Sequence, residues 1–209
     1  MVPTTLYSIV LLAGLWPAVL PQGNAAPSVQ PSSPQQSAIT IRVSKSGLFS
    51  GFAHNHIVVA PIAQAAVDPA HMAVNITVAT KEMKVTDPDV SQKDRTEIQT
   101  TMLGPTVLDA AKFPEIHFKS SRIEQTSPQH YRVTGTLDLH GANKEISFDV
   151  SGGPEHYHGA TKLKQTNFGI KPISMGGGSI KVKDELELEF DVYSAAPAKT
   201  GSSANPGSR

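Results

Sequence analysis

The sequence predicts an all-β domain of about eight antiparallel strands with one short helix, folded as a closed barrel or a sandwich. Apolar and polar residues alternate with a period of two in several segments, and turn-forming residues bound those segments. Only residues 91–103 fit a helix, and no repeat of fixed length occurs. Solenoids and helical bundles are therefore poor candidates.

The strands follow from this alternation in chain order. It is regular in ITIRV at 39–43, MAVNITVAT at 72–80, HYRVTGTLDLH at 130–140, KEISFDV at 144–150 and DELELEFDV at 184–192. Less regular strands are predicted at 52–60, 62–67, 115–123 and 158–168. In the last regular segment the apolar residues share one face and the acidic residues share the other, which predicts an apolar interior and a charged exterior.

The N-terminal segment is typical of an export signal. Residues 6–20, LYSIVLLAGLWPAVL, are apolar, and small residues follow at Gly23, Ala25 and Ala26. We expect residues 1–26 to be a cleaved signal peptide and the protein to be periplasmic or secreted. The apolar run is interrupted by Pro17 and is shorter than the ~20 residues of a membrane-spanning helix, so no stable membrane insertion is expected.

Two further segments are poor in bulky side chains. Residues 27–38 and 195–209 are rich in proline, serine and other small or polar residues, and we expect a disordered linker and a disordered tail. The folded domain is then predicted at residues 39–194.

Composition limits the chemistry that is available. The chain has no cysteine, which excludes disulfides, thiolate metal sites and a thiol nucleophile. Eighteen basic residues balance eighteen acidic ones, so nucleic-acid binding is disfavoured. Aromatic residues make up only 6% of the chain, and the inward-facing positions are mostly aliphatic. These features favour a barrel with room inside for a small ligand over one filled by side chains.

Four segments resemble the YceI family of secreted polyisoprenoid-binding proteins. They are VLDAAKFPEIHFKSSRI at 107–123, YRVTGTLDLHGANKEISFDV at 131–150, TNFGIKP at 166–172 and IKVKDELELEFDV at 180–192. Their order and spacing match as well. The resemblance implies a lipocalin-like barrel with a long apolar tunnel, and hence a binding or carrier protein for a long-chain apolar molecule such as an isoprenoid or a quinone.

The strand pattern then suggests which side chains line that tunnel. They are the inward-facing members of five strands: Val74, Ile76 and Val78; Ile116 and Phe118; Val133, Leu137 and Leu139; Ile146 and Phe148; and Leu186, Leu188 and Phe190. No cofactor is expected. The sequence does not identify the lipid or the oligomeric state, and it is compatible with a homodimer.

Two histidine pairs have the spacing of side chains on one face of a strand. We expect His54 and His56 to lie together near an end of the barrel and to bind the polar head of the ligand. Imidazoles are also common metal ligands, so a metal-binding protein or metal-dependent enzyme centred on this pair is an alternative. His156 and His158 follow two glycines and are interpreted as residues of a solvated loop.

No motif of an established catalytic class occurs in the chain. Neither a Gly-x-Ser-x-Gly elbow, nor a His-Glu-x-x-His helix, nor a phosphate-binding loop is present, so no enzymatic activity is expected. A second alternative to ligand transport is a solidly packed barrel that binds only a partner protein.

Overall fold

A computed structural model describes residues 36–46, 55–68, 72–153, 155–175 and 180–193 of the chain. The predicted signal peptide, His54 and nearly all of the predicted linker and tail lie outside these residues. The described part contains one helix, α1 (Gln92–Leu103), and these strands: β1 (Ala38–Ser46), β2 (His56–Asp68), β3 (Ala73–Ala79), β4 (Lys84–Val85), β5 (Glu115–Ser127), β6 (His130–Leu139), β7 (Ala142–Gly153), β8 (His156–Lys164), β9 (Ser174–Met175) and β10 (Ile180–Tyr193).

Eight of the strands close into an antiparallel barrel. The order is β1, β10, β8, β7, β6, β5, β3 and β2, and the pairing of β1 with β2 completes the circle. The two-residue strands β4 and β9 pair at the side of β2 and β10. No helix in the described residues is long and apolar enough to cross a membrane. The predicted eight-stranded barrel with one short helix is confirmed.

Two predicted strand boundaries are wrong. Residues 56–60 of the first segment and the whole of 62–67 belong to one strand, β2, whose pairing with β3 shifts register between Ile62 and Gln64; residues 52–54 lie outside the described part. A β-bulge of this kind lets a strand continue through an irregular stretch. The segment predicted at 158–168 stops as a strand at Lys164, and a 3-10 turn at Gln165–Phe168 follows.

The antiparallel order gives the barrel two different ends. We call the end where β2, β5 and β7 finish the mouth end. The opposite end, where β6 finishes at Leu139, we call the helix end. At this end β3 finishes and β5 begins, and the chain between these two strands contains α1 and residues 104–113.

Helix α1 is anchored at the helix end by polar and apolar contacts. Ser91 caps it by accepting a hydrogen bond from the Asp94 backbone N–H at 3.2 Å. The Gln99 side chain accepts from the Val85 N–H at 2.8 Å and donates to the Met83 carbonyl at 2.7 Å. Its apolar residues Ile98, Met102 and Leu103 pack against the barrel core.

The hairpin between β6 and β7 completes the helix end. His140 and Gly141 have φ angles of 54° and 75°, which is the geometry of a two-residue type I′ turn. The His140 ring lies 4.6 Å from that of Phe113, and its Nδ1 donates to the Phe168 carbonyl at 3.2 Å. Phe168 is 1% exposed, so this end of the barrel is packed solid.

Candidate ligand-binding cavity

Between the packed helix end and the mouth end the barrel contains a cavity of about 290 Å³. Most of the side chains that line it are aliphatic or aromatic. They are Ile39, Ile62, Val67, Met72, Ala73, Val74, Ile76, Phe118, Ile123, Tyr131, Val133, Leu137, Ile146, Phe148, Val150, Tyr157, Leu163, Leu188, Phe190 and Val192, with Asp68, Gln125 and Thr161. Such a lining suits an apolar molecule with few polar groups.

The cavity opens at the mouth end. Asp68, Met72 and Gln125 belong to its lining, lie where β2 finishes, β3 begins and β5 finishes, and are exposed. The Met72 side chain is 40% exposed at this opening. None of the described residues of α1 or of 104–113 lines the cavity, so its inner limit is the packed helix end.

Most of the side chains predicted to line a tunnel lie around this cavity. Strand pairing places Ile76 opposite Phe118, and Phe118 opposite Leu137, on one inner face. The predicted residues in the lining are Val74, Ile76, Phe118, Val133, Leu137, Ile146, Phe148, Leu188 and Phe190. Their role in binding a ligand stays a prediction.

Four predicted tunnel residues lie elsewhere. Val78, Ile116, Leu139 and Leu186 point to the same interior but belong to the packed core toward the helix end. Val78, for example, pairs with Ile116 and is 3% exposed. The expected continuous tunnel is therefore a cavity that is closed toward the helix end, because the segments packed there fill that end of the barrel.

Sequence reasoning missed several lining residues. Tyr131 is two residues from Val133 on β6 and shares its face, so the period of two could have identified it. Val150 and Val192 continue the patterns of β7 and β10 in the same way. Met72 lies two residues before Val74 in the predicted segment 72–80, so the same period marks it as well, whereas Tyr157 precedes the segment that was predicted as a strand.

Three phenylalanine rings form a continuous wall of the cavity. The Phe148 ring lies 5.3 Å from that of Phe118 and 5.1 Å from that of Phe190. A Cβ atom at Gly135 would collide with the Phe118 ring, and one at Gly159 with the Phe190 ring. Because these two glycines have no side chain, the rings of Phe118 and Phe190 have room to lie against the neighbouring strand.

The mouth end also has two tyrosines. The rings of Tyr131 and Tyr157 both line the cavity and meet edge to face, with their centroids 6.3 Å apart. Burial, and then the neighbouring Tyr131, raise the pKa of the Tyr157 hydroxyl. The Tyr157 hydroxyl is therefore neutral at physiological pH, and a phenolic hydroxyl can both donate and accept a hydrogen bond.

His56 does not contribute to the cavity. It begins β2 at the helix end, opposite the mouth, and its Nδ1 donates to the Asp87 carboxylate at 2.6 Å. Asp87 is 2% exposed and also accepts the Ile57 N–H at 2.5 Å. His56 thus lies near an end of the barrel, as expected, but outside the cavity lining, and its binding of a ligand head stays a prediction. No cluster of three metal-ligating side chains occurs in the described residues, and His54 lies outside them.

The second histidine pair is not in a loop, contrary to the sequence-based interpretation. Pairing of β7 with β8 begins at Gly153 and His156, so both histidines are strand residues on the outer face. His156 Nε2 and His158 Nδ1 donate to the same Asp191 oxygen at 2.7 and 3.1 Å. Burial of Asp191 opposes ionisation, but these two hydrogen bonds outweigh it and hold the pKa of Asp191 below its ordinary value.

Comparison with known proteins relates the chain to one family. The family profile of the YceI-like domain matches residues 32–193. A UPF0312 protein of Pseudomonas syringae pv. syringae is 31% identical over 94 residues, which cover 40% of this chain and 47% of that protein. A UPF0312 protein of Vibrio cholerae is 26% identical over 132 residues, which cover 58% of this chain and 66% of that protein. The chain thus matches about half to two thirds of the length of these relatives.

Solved structures share the fold. Burkholderia cenocepacia BcnA superimposes with a TM-score of 0.58 at 17% identity, over 76% of this chain and 96% of BcnA. A mutant YCEI protein of Campylobacter jejuni, crystallised for nanotechnology applications, superimposes with a TM-score of 0.51 at 15% identity, over 88% of this chain and 99% of that one.

Proposed function

Because the chain belongs to the YceI-like domain family, we propose that it binds a long-chain apolar molecule, such as an isoprenoid or a quinone, in the cavity of its barrel. One observation carries the proposal. The cavity of about 290 Å³ is lined mainly by aliphatic and aromatic side chains, and the exposed residues of its described lining, Asp68, Met72 and Gln125, all lie at the mouth end. An apolar chain that enters there leaves water for a surface that has few hydrogen-bonding groups.

The free energy of burying an apolar chain is large enough by itself to account for binding. Burial of one CH₂ group is worth ~0.8 kcal/mol, so ten buried carbons contribute about 8 kcal/mol. This free energy corresponds to a dissociation constant of about 1 μM before the cost of ordering the ligand. The interior is not packed solid, which speaks against a role as a partner-binding module alone.

The proposed role is that of a carrier in the periplasm or outside the cell. The apolar run at residues 6–20 and the small residues that follow it support export. N-terminal sequencing of the protein from fractionated cells tests this part. We expect a mature N-terminus near residue 27 in the exported fraction, whereas intact protein that begins at Met1 in the cytosol would contradict export.

Analysis of bound lipid tests the binding function directly. The protein, purified without detergent, is extracted with organic solvent, and the extract is examined by mass spectrometry. We expect one apolar compound in a stoichiometric amount. If the native protein yields none and also fails to take up prenyl alcohols or quinones in vitro, the proposal is wrong.

A further inference from the structure

We propose that Tyr131 and Tyr157 form a head-group site at the mouth of the cavity, and that it selects apolar chains ending in a neutral hydrogen-bonding group such as a hydroxyl or a carbonyl. This inference rests on the proposed function and deepens it, since it assigns the polar end of the ligand to two named side chains.

The first argument is the position of the two rings. Tyr131 lies near the start of β6 and pairs with Val150, and Tyr157 lies near the start of β8 and pairs with Val192. Both positions are at the mouth end, and both rings line the cavity at a centroid distance of 6.3 Å. A ligand whose apolar chain points toward the packed helix end would leave its head beside these rings.

The second argument is that their hydroxyls are available. Within the described residues neither hydroxyl makes a hydrogen bond to the protein, and neither is buried from solvent, so each is open to a partner from outside the protein. A bound molecule with an acceptor or donor group would supply that partner. A hydroxyl or a carbonyl satisfies one or both tyrosines without bringing a charge into the lining.

The third argument concerns charge. Asp68 is acidic and contributes to the lining, whereas no lysine, arginine or histidine occurs among the described lining residues. A carboxylate head would lose its hydration there and would find no cation in the described lining to replace it, which disfavours an ionised fatty acid. A neutral head avoids this cost.

The dimensions suggest a matching probe. Tyr131 and Leu137 both line the cavity and are six residues apart on β6, a distance of about 20 Å along the strand and roughly 15 Å along a barrel axis tilted by ~40°. A C–C single bond is about 1.5 Å long and its zigzag at tetrahedral angles advances about 1.2 Å, so about twelve bonds fit below the head. A chain of three isoprene units has this length.

Three compounds with this branched carbon skeleton separate the contributions; farnesane is also saturated, so its binding is compared only between protein variants. Farnesol carries a neutral hydroxyl, farnesane has no polar head, and farnesoic acid carries a carboxylate at neutral pH. Each is titrated against a fluorescent apolar dye bound to the full-length protein, to Tyr131→Phe, Tyr157→Phe and the double variant. Tyr193→Phe is the matched control, because the Tyr193 ring stacks on His156 on the outer face.

We expect the wild-type protein to bind farnesol about tenfold or more tightly than farnesoic acid. Each Tyr→Phe change in the cavity should weaken farnesol binding about two- to tenfold and leave farnesane binding unchanged. The control variant should match the wild type with all three compounds.

Each other outcome overturns the inference. Equal losses for farnesol and farnesane would show that the tyrosines act only through packing, and a wild-type preference for farnesoic acid would exclude a site for neutral heads. Either result leaves the proposed function standing. If the wild-type protein binds none of the three compounds and displaces no dye, the proposed function fails together with the inference.

Discussion

The aromatic ring of Phe190 lies over Gly159, its partner on the neighbouring strand, in the space that a Cβ atom at position 159 would occupy. Phe190 is part of the cavity wall and contacts Phe148. The size of residue 159 on β8 therefore decides where a side chain of β10 can lie and what shape the cavity has.

Gly159→Ala should destabilise the protein because its methyl group collides with the Phe190 ring and with the Asp149 carbonyl oxygen. Overpacking of this kind costs about 1–3 kcal/mol of unfolding free energy, measured by urea denaturation. Gly153→Ala is the control, because nothing lies within 4 Å of a Cβ atom there. Equal stability of the two variants would contradict this account of the wall.

Val74→Trp should fill the cavity and abolish most of the ligand binding. Val74 lines the cavity, whereas its neighbour Asn75 on β3 is exposed on the opposite face, so Asn75→Trp adds the same bulk outside. The measurement is uptake of farnesol by each folded variant, with circular dichroism as the test of folding. Undiminished uptake by Val74→Trp would place the ligand elsewhere.

Asp87→Ala should lower the unfolding free energy by about 1–3 kcal/mol, since it leaves the Ile57 N–H and His56 Nδ1 without their acceptor in a buried site. Asp89→Ala, at an exposed position close by, should change it by less than about 0.5 kcal/mol. Ligand binding should be unaffected, because neither side chain lines the cavity. If a folded Asp87→Ala protein lost ligand binding, the His56–Asp87 pair would be coupled to the cavity, contrary to this prediction.

Acid should destabilise the protein in part through Asp184. Its carboxylate accepts hydrogen bonds from the Thr166 hydroxyl at 2.7 Å and the Thr166 N–H at 2.9 Å, and these lower its pKa. A lowered pKa in the folded state gives a stabilisation that is present above the pKa of the unfolded chain and is lost as the pH falls through the folded-state pKa. Thermal melts at decreasing pH should fall less steeply for Asp184→Asn than for the wild type. Parallel curves would show that this carboxylate contributes nothing.

Much of the fold follows from local patterns. Alternation along β10 places Leu188 and Phe190 inside and Glu187 and Glu189 outside, because successive side chains of a strand point to opposite faces. The short connection at His140 and Gly141 predicts a hairpin for the same kind of local reason, since only a few residues adopt positive φ angles easily.

The candidate site depends on contacts that no local pattern contains. Leu137 and Leu139 are indistinguishable in the sequence, yet the first lines the cavity and the second packs at the helix end. The difference arises from α1 and the turn at Gln165–Phe168, which are distant in sequence and fill one end of the barrel. Tyr157 likewise reaches the cavity only because β8 lies between β7 and β10.

By itself, then, the sequence determined which segments are strands and which side of each faces the interior, because a period of two is a property of the extended backbone. Only the tertiary structure decided how deep the cavity is, which inward-facing residues border it, and that His56 bonds to Asp87 rather than facing the mouth. These depend on which distant segments pack against each end of the barrel, and the packing energy of such contacts is not encoded within any single strand.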